Sequence, residues 1–451
     1  MLTRTDLRGR ALSAAELADV LPRAELDVEG ALDRIRPVLA DVRERGAAAL
    51  RDLAERFDGV RPEHIRVPAA ALGEALDQLD PDVREALEAA ITHLRAGHAA
   101  QLPREVSTEI VPGGVIRQRW VPVRRVGLYA PGGLAAYPSS VVMNAVAAQV
   151  AGVEELAIAT PPQAANAGLP HPVILAACAL LGVEEVYAVG GAQAVGMFAY
   201  GAAAADDTDR ADLAAAGRTG DTLCDPVDVV TGPGNVYVAA AKRAVMGRVG
   251  IDAEAGTTEI AVLADETADP VHVAVDLISQ AEHDPAAASV LITASTCLAD
   301  AVDAEIARRV PTSRHHDRIS TALSGPQSGT LIVDDLDHGV AVANAYGAEH
   351  LEVQTTDAAA VAERIRNAGA IFLGPYSPVP LGDYLAGSNH VLPTGGTARF
   401  ASGLNVTAYI RSVQVIEYGE AALKQLADPL AALADSEDLP AHGDAVRARF
   451  T

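Results

Sequence analysis

The fold is decided by two apolar runs, Leu156-Ala157-Ile158-Ala159 and Val186-Tyr187-Ala188-Val189, which flank a helical pattern from His171 to Leu181. Short continuous apolar strands that alternate with helices are typical of parallel sheets with both faces covered. The stretch therefore predicts a strand–helix–strand unit of an α/β protein.

The same alternation of strands and helices continues along the chain. One core rarely extends over 451 residues, so two larger domains are expected. The apolar runs form two series, roughly 130–259 and 260–375, which predict two Rossmann-like parallel-sheet domains of an α/β protein with small N- and C-terminal extensions. Besides the two runs above, the predicted strands lie at 115–120, 126–129, 260–263, 290–293, 331–333 and 370–373.

The remaining segments are interpreted as additions to these two domains. Ser13 and Glu16 have the spacing of a capping box, which predicts a short helix near the start. The helical pattern of 28–102 is assigned to the later sheet, and the Ala-, Asp-, Gly- and Thr-rich stretch 202–222 to a surface insertion. The predicted boundaries are 1–25 for a helical arm, 26–129 plus 260–380 for the first α/β domain, 130–259 for the second and 381–451 for a C-terminal extension.

Composition excludes several classes of protein. Hydrophobic residues make up 49% and charged residues 21%, a balance typical of soluble globular proteins. The net charge of −25 repels nucleic acid and anionic membranes, so neither is an expected partner. The three cysteines are far apart and lack CxxC spacing, which argues against disulfides and thiolate metal sites. No signal peptide or membrane span is recognised, so the predicted location is cytoplasmic.

The segment 269–283 predicts a helix with two polar groups at its carboxyl end. Asp269-Pro270 supplies a capping acid and then proline at the first helical position, and apolar residues follow at helical spacing. Gln280 and His283 are three residues apart, so both lie on one side near a helix end whose partial negative charge favours a cation. The pair is either two ligands of a metal ion or a polar helix end that meets solvent.

Three glycine-rich turns at strand ends are candidates for binding a phosphate-bearing ligand. Glycine lets backbone N–H groups approach a phosphate, and ligands of open α/β sheets bind at the carboxyl ends of strands. None of the turns has GxGxxG spacing, so ordinary tight turns are the alternative. Polar Tyr129, Gln193 and Asn235 favour a ligand. The turns are Tyr129-Ala130-Pro131-Gly132-Gly133, Gly190-Gly191-Ala192-Gln193-Ala194 and Thr231-Gly232-Pro233-Gly234-Asn235.

A carboxylate stands next to an imidazole in Gly347-Ala348-Glu349-His350-Leu351. Glu and His are the usual proton-transfer groups near neutral pH. Adjacent residues of a helix or strand point apart, so the pair indicates two separate roles rather than one dyad. The alternative is a solvated Glu349 and a packed His350.

The C-terminal part of the chain holds further candidate ligands. Asp383 could complete a metal shell, and His390 is either a ligand or a turn histidine bonded to backbone. Glu437 and His442 form Glu-x-Leu-x-x-His, which is typical of a solvated helix end. If this segment reaches a metal ion, one carboxamide, one carboxylate and two imidazoles form a ligand set that suits zinc.

In combination and in order, these motifs resemble those of the histidinol dehydrogenase family. The resemblance covers nearly the whole chain and implies a zinc- and NAD-dependent enzyme of the last steps of histidine biosynthesis. It also implies a homodimer whose C-terminal tail crosses to the partner. The matching motifs are Tyr-x-Pro-Gly-Gly, Gly-Gly-Ala-Gln-Ala, Gly-Pro-Gly-Asn, Ser-Gln-Ala-Glu-His, Glu-His-Leu, Gly-Asp-Tyr, Asn-His-Val-Leu-Pro-Thr and Glu-x-Leu-x-x-His.

The resemblance implies roles for individual residues. Glu349 and His350 match the acid–base pair, and His390 matches a motif position that is not a ligand. Glu437 and His442 would serve the partner's site, because the family's tail crosses between subunits. The matching positions are Gln280, His283, Asp383 and His442 for the zinc ligands, Tyr129, Gln193 and Asn235 for the NAD contacts, and Thr258, Gln280, His283, His350, Asp383, Glu437 and His442 for the substrate contacts.

The implied reaction is oxidation of L-histidinol through L-histidinal to L-histidine with two NAD, while one zinc ion per subunit holds the substrate. His350 is expected to take the alcohol proton and Glu349 to activate water for attack on the aldehyde. The sequence departs from the family at three places. Thr257-Thr258 replaces a common Pro-Ser, Ala348 replaces a common Pro, and 202–222 is longer than in many relatives. None of these changes removes a catalytic group.

Other functions remain open at this stage. A related zinc- and NAD-dependent dehydrogenase of amino alcohols or sulfonate alcohols would share the glycine turns. A zinc hydrolase that does not carry out redox chemistry would use His283, Asp383 and His442 to activate water, but it would leave the three glycine turns without a purpose. A binding protein without catalysis would need neither the acid–base pair nor the metal ligands.

Overall fold

The structure is a computed structural model that describes residues 2–10, 12–24, 27–132, 136–254 and 256–450. The first part contains β1 (Thr3–Asp6), α1 (Ala14–Val20), α2 (Val28–Arg45), α3 (Ala47–Phe57), α4 (Ala69–Asp77), α5 (Pro81–Ala99), β2 (Val106–Val111), β3 (Gly114–Pro122), β4 (Arg125–Tyr129), α6 (Pro138–Ala151), β5 (Glu155–Thr160), α7 (Pro172–Leu180), β6 (Glu185–Ala188), α8 (Gly191–Tyr200), β7 (Ala202–Ala203), α9 (Asp207–Ala215), β8 (Thr222–Cys224), β9 (Val229–Thr231), α10 (Val236–Val245) and β10 (Gly250–Ile251).

The second part begins where the chain leaves β10. It contains β11 (Glu259–Ala264), α11 (Pro270–Ala281), β12 (Ala288–Thr293), α12 (Thr296–Arg309), α13 (His316–Ser324), β13 (Gly329–Ile332), α14 (Leu336–Tyr346), β14 (His350–Gln354), α15 (Ala358–Ala362), β15 (Ala370–Leu373), α16 (Val379–Tyr384), β16 (Ile410–Tyr418), α17 (Glu420–Ser436) and α18 (Pro440–Arg447). None of the helices in the described ranges is both long and apolar enough to cross a membrane.

Five strands form a parallel sheet in the order β10-β9-β4-β5-β6. Alternate residues of each strand face opposite sides, as Ile158 and Ala159 of β5 show by belonging to different cores. Helices α4 to α7 cover one face, and α2, α3, α8 and α10 cover the other. The strand order reverses between β4 and β9, which creates a crevice at their carboxyl ends where such sheets bind ligands.

Six strands form a second parallel sheet in the order β1-β13-β12-β11-β14-β15. Helices α11, α12 and α13 pack on one face, and α1, α14 and α15 pack on the other. The central strands β11 and β12 are buried along their whole length, as expected for continuous apolar runs. The two parallel α/β sheets predicted from the sequence are therefore confirmed.

The predicted assignment of the N-terminal part to the later sheet is wrong. Helices α2 to α5 pack on the five-stranded sheet, and β4, predicted to belong to 26–129 of the other domain, lies at its centre. An amphipathic pattern shows that a helix has an apolar face but does not show which sheet receives it. The arm 1–25 contains α1 with the predicted capping box of Ser13 and Glu16, but it also contributes β1 to the six-stranded sheet.

The stretch 202–222 is more ordered than the predicted surface insertion. It contains β7 and α9 and reaches the start of β8. Asp209 is fully buried and accepts hydrogen bonds from Arg51 at 3.0 and 2.7 Å, which ties α9 to α3. Its composition concealed this buried ion pair because the partner lies far away in the sequence.

The C-terminal extension begins on the six-stranded side and returns across the molecule. Its strand β16 pairs antiparallel with β3, and β3 pairs with β2, which forms a separate three-stranded sheet. Tyr409, just before β16, is fully buried in the core beneath the five-stranded sheet. Helices α17 and α18 then pack on each other. The extension therefore connects the two halves before its last helices begin.

Candidate active site

The connection between the two sheets determines where the candidate site lies. The chain leaves the carboxyl end of β10 at Ile251 and enters the amino end of β11 at Glu259. The carboxyl edge of the five-stranded sheet and the amino edge of the six-stranded sheet are therefore joined by a short segment. Both edges carry residues that the sequence singled out.

Two of the three glycine turns are in contact with Tyr129 at the end of β4. The Tyr129 hydroxyl accepts a hydrogen bond from Gly191 N at 3.0 Å. A Cβ on Gly232 would lie 2.0 Å from Tyr129 O, and Gly232 has a φ of 115°, so only glycine fits there. Tyr129 is buried, and desolvation raises the pKa of its hydroxyl to about 12, so it remains neutral. In the first turn, Gly133 lies outside the described residues.

A buried lysine, which belongs to none of the sequence motifs, fixes the third turn. Lys242 Nζ donates to Gly232 O and to Asp252 Oδ1, both at 2.5 Å. Asp252 Oδ2 in turn accepts from Gly232 N at 2.8 Å. Both side chains are almost completely buried. The ion pair therefore holds the carbonyl and the amide of Gly232 in place.

The two remaining candidates for cofactor contacts differ in their surroundings. Gln193 is buried in the first turn of α8, whose N-cap residue, Gly190, provides no side-chain hydrogen bond. Asn235 is exposed, and its side-chain oxygen caps α10 by accepting from Tyr237 N at 3.0 Å and Val238 N at 3.3 Å. The N-terminus of α8 and the glycine backbone fit the phosphates of a dinucleotide, whereas Asn235 has at least a structural role.

At the other edge, a chain of hydrogen bonds orients the Gln280 amide. Its Nε2 donates to Thr258 Oγ1 at 2.7 Å, and Thr258 Oγ1 donates to Glu349 Oε2 at 2.6 Å. Since Nε2 is engaged with Thr258, Gln280 Oε1 points elsewhere. That oxygen is buried and has no hydrogen-bond partner in the described structure. An unsatisfied buried carbonyl oxygen is costly to the fold and suits a bound cation.

Glu349 is buried directly before β14. Its Oε2 accepts a second hydrogen bond from Glu259 N at 2.9 Å. Burial raises the pKa of Glu349 to about 8, although the bonds from Thr258 and Glu259 oppose the shift. The carboxyl group therefore keeps its proton near neutral pH unless a nearby positive charge stabilises the ionised form.

His350 is the first residue of β14 and is almost fully buried. Its Nδ1 lies 3.1 Å from Glu259 O, which makes Nδ1 the protonated nitrogen of the neutral ring. Its Nε2 is buried without a partner and lies 3.8 Å from Asp383 Oδ1. Burial lowers the pKa of His350, which favours the neutral ring. Nε2 is therefore a free base aimed at the site.

Glu259 holds both members of the acid–base pair through its backbone, and the sequence did not indicate it. Its side chain is buried, and both of its carboxylate oxygens accept a hydrogen bond from Arg23 Nη1, each at 3.1 Å. Arg23 also lies over the Tyr346 ring at 4.4 Å. Burial raises the pKa of Glu259 to about 7, and Arg23 opposes that shift. No local motif links Arg23 to Glu349, so only the fold shows this connection.

The other predicted ligands of the same chain lie next to this pair. His283 comes two residues after the end of α11, not within its last turn as predicted. Burial lowers the pKa of His283, and the charge of Asp383 opposes that shift, as it does for His350. His390 Nδ1 lies 2.9 Å from Asp383 O, which supports the turn-histidine reading of His390.

One chain does not provide a complete metal site. Among the described residues, no group of three or more His, Cys, Asp or Glu side chains has the geometry to hold a metal ion. Gln280 Oε1 nevertheless lacks a partner, and the imidazole of His283 and the carboxylate of Asp383 are the right types of donor. These residues therefore fit an incomplete zinc shell that needs a further ligand.

The structure does not bring the two predicted tail residues to this site within its own chain. Glu437 and His442 are exposed on either side of the junction between α17 and α18. No hydrogen bond or ion pair in the described part of the chain joins either side chain to the cluster at Gln280. Their place in an assembly stays a prediction.

The chain folds into two parallel-sheet domains whose facing edges are connected. One edge carries glycine turns and the other a buried acid–base pair. This arrangement defines the class of the protein as a two-domain α/β enzyme. The sequence model described as "Histidinol dehydrogenase" matches residues 21–450. A histidinol dehydrogenase of Nocardia farcinica is 61% identical over 449 residues, covering 100% of this chain and 98% of the relative. One of Thermobifida fusca is 60% identical over 450 residues with the same coverage.

A solved structure agrees with these relatives. The crystal structure of histidinol dehydrogenase from Elizabethkingia anophelis has a TM-score of 0.89 to this chain at 28% identity, covering 100% of this chain and 98% of that one. The chain belongs to the histidinol dehydrogenase family, a family of oxidoreductases.

Proposed function

We propose that this chain oxidises L-histidinol through L-histidinal to L-histidine with two NAD, as the last steps of histidine biosynthesis. The observation that carries the proposal is the hydrogen-bonded chain from Gln280 through Thr258 to Glu349, which leaves Gln280 Oε1 unpartnered. His350, next to Glu349, is held through Nδ1 by Glu259 O and has an unpartnered Nε2. Membership of the histidinol dehydrogenase family supports the choice of substrate.

The residues that would hold one zinc ion are Gln280, His283, Asp383 and the partner's His442. When bound, zinc supplies a Lewis-acid centre that can bind the imidazole and amino nitrogens of histidinol, and NAD supplies the hydride acceptor. Thr258 keeps the Gln280 amide in the orientation that presents Oε1. The glycine turns beside Tyr129 and Gln193 would receive the dinucleotide.

His350 acts first, as the base that removes the proton of the substrate alcohol. Its Nδ1–H is held by Glu259 O, so Nε2 carries the free lone pair. Removing this proton as the carbinol carbon is oxidised gives the aldehyde. The proton then resides on Nε2, where the carboxylate of Asp383 at 3.8 Å stabilises the positive charge.

Glu349 acts in the second oxidation, in which water adds to the aldehyde before the acid forms. Its Oε2 is occupied by Thr258 and Glu259, which leaves Oε1 to accept a proton from water. A positive charge near Gln280 would favour the ionised carboxylate that this role needs. Once Nε2 has released its first proton to water, His350 assists again by taking the proton of the hydrate.

The direct test is NADH formation from L-histidinol by the purified protein, followed by absorbance. We expect two NADH for each histidinol, loss of activity with a chelator and recovery on adding zinc. A panel of other amino alcohols and sulfonate alcohols separates the related dehydrogenases. Faster turnover of one of these compounds than of histidinol would contradict the proposed substrate.

We further propose a homodimer in which the C-terminal tail of each subunit completes the partner's site. Glu437 and His442 are exposed in the single chain, and so are apolar side chains of the same C-terminal segment, with Leu433 67% and Leu439 43% exposed. Tyr384, next to Asp383, is 56% exposed, so an apolar surface is also available at the site. These exposed groups are what a tail exchanged between subunits would bury.

Mixed dimers test the exchange. The His442→Ala subunit has an intact Glu349 but lacks the tail ligand. The Glu349→Gln subunit has an intact tail but lacks the catalytic carboxylate. If the tail serves the partner, each mixed dimer contains one complete site, so random reassembly of equal amounts should restore about a quarter of the wild-type rate of L-histidinal oxidation, the step that needs Glu349. If the tail serves its own chain, no complete site forms and activity stays at the level of the separate variants.

A further inference from the structure

Asp58 follows α3 directly and carries a carboxylate atom that the fold does not satisfy. Its Oδ2 is buried and has no hydrogen-bond partner in the described structure. Burial raises the pKa of Asp58 to about 6. The partial negative charge at the end of α3 adds to the cost of an anion there. An acid kept in such a place does not stabilise the fold, which points to a role in binding.

The carboxylate of Asp58 lies against the second glycine turn. A Cβ on Gly190 would lie 3.1 Å from Asp58 Oδ1 and 3.0 Å from Pro161 Cγ. Pro161 directly follows β5, and Gly190 directly precedes α8. The charge of Asp58 also contributes, after desolvation, to the raised pKa of Tyr129. Asp58 therefore lies at the carboxyl ends of β5 and β6, beside the turns that would receive the dinucleotide.

The topology of the five-stranded sheet indicates which part of a dinucleotide would lie next to Asp58. The strands β4, β5 and β6 form one βαβαβ half on one side of the point where the strand order reverses. In sheets of this type, an acid about 20 residues beyond the first turn binds the ribose 2′-hydroxyl of NAD. Here β5 ends in Thr160-Pro161-Pro162, which supplies no acid. Asp58 brings a carboxylate to that place from a different element.

We propose that Asp58 accepts a hydrogen bond from the adenosine ribose of NAD and selects NAD over NADP. The inference rests on the proposed use of NAD. The ribose hydroxyl supplies the donor that Oδ2 lacks. A 2′-phosphate in the same position would instead place its negative charge against the carboxylate, without a new donor.

Calorimetric titration of the purified protein with NAD and with NADP tests the proposal without relying on turnover. Asp58→Asn keeps the shape and removes the charge, and Asp58→Ala removes both oxygens. The matched control is Glu55→Gln, which removes one negative charge from α3 at an exposed position paired with Arg61. We expect both Asp58 variants to bind NAD about tenfold more weakly, since they lose a hydrogen bond to a charged group. Asp58→Asn should also bind NADP more tightly, and Glu55→Gln should leave both affinities unchanged.

Each other outcome overturns a different statement. Equal weakening of NAD and NADP would show that Asp58 contacts a part common to both and would overturn the role in selection. Unchanged NAD affinity in two folded variants would overturn the contact itself. If the wild-type protein binds neither dinucleotide, the proposed use of NAD fails, and the role of Asp58 fails with it. Thermal unfolding followed by circular dichroism checks that the variants are folded.

Discussion

The two sheet edges at the site use backbone and side chains in opposite ways. One edge presents backbone that side chains support, and the other presents side chains that backbone supports. At the five-stranded edge, glycine backbone forms the candidate binding surface, and Lys242 and Asp252 hold Gly232 in place. At the six-stranded edge, Glu349 and His350 present reactive side chains, and the backbone of Glu259 holds them. In the proposed function, the first edge binds the cofactor and the second transfers protons.

The direction of the strands explains this difference. The five-stranded sheet presents its carboxyl ends, where ligands of open α/β sheets usually bind. The six-stranded sheet presents its amino ends, since Glu259 begins β11 and His350 begins β14. Substitutions at the first edge should therefore change cofactor affinity and stability, and substitutions at the second should change the chemical steps or the metal.

The largest effect is expected from Glu349→Gln at the six-stranded edge. The amide cannot accept a proton from water, so oxidation of L-histidinal should slow by about 10²- to 10⁴-fold. Oxidation of L-histidinol to the aldehyde should fall much less, because His350 is the proposed base of that step. Single-turnover measurements with each substrate separate the two half-reactions. Equal losses in both would contradict the assigned division between Glu349 and His350.

Lys242→Met at the five-stranded edge should cause the next largest effect, on stability. It leaves Asp252 buried and unpaired, which should cost about 3–5 kcal/mol of unfolding free energy. Denaturant unfolding measures this loss, and calorimetry should show weaker NAD binding because Gly232 loses its support. The double variant with Asp252→Asn should recover part of the stability. Arg243→Met, which breaks a more exposed pair with Glu254, is the matched control and should cost far less.

Thr258→Val tests the link between the two functions of the six-stranded edge. Valine keeps the shape but gives Gln280 Nε2 no acceptor and Glu349 no hydroxyl donor. The amide is then free to turn, so zinc affinity should fall by about 10- to 100-fold. Competition with a chelator measures this change. Thr258→Ser keeps the hydroxyl and should bind zinc as the wild type does, whereas a similar loss in both variants would mean that the methyl group matters instead.

The smallest effect is expected from Asn235→Asp, which tests whether Asn235 does more than cap α10. Aspartate caps a helix as well as asparagine does, so the unfolding free energy should stay within about 0.5 kcal/mol. If the side-chain amide also donates to NAD, the NAD affinity of the variant should fall at unchanged stability. If the affinity is also unchanged, capping is the whole role of Asn235.

The sequence predicted the elements that carry a local signal. Buried strands such as β5 and β11 were recognised from their apolar runs, and the start of α11 from Asp269 and Pro270. The strands β1, β2 and β14 were not predicted. Strand β14 contains Glu352, a fully buried acid that interrupts its apolar pattern. A partner supplied by tertiary structure can place a charged residue where a local pattern would exclude it.

The candidate site shows the same limit. Sequence motifs indicated Gln280, Glu349 and His350 as site residues, because each lies within a short motif of neighbouring residues. Arg23 and Lys242 belong to no such motif. Their role in holding the site in place is visible only from their contacts with residues that are not their neighbours in the sequence. Residues that hold a site in place through another residue could therefore not be predicted from the sequence.

A crystal structure of the zinc-loaded dimer, with data collected at the zinc absorption edge, tests the proposed metal site most directly. We expect one anomalous peak per subunit, in contact with Gln280 Oε1, His283, Asp383 and the partner's His442. Gln280 Nε2 should still donate to Thr258 in this structure. A zinc ion elsewhere, or one bound without Gln280, would contradict the convergence on which the proposed function depends.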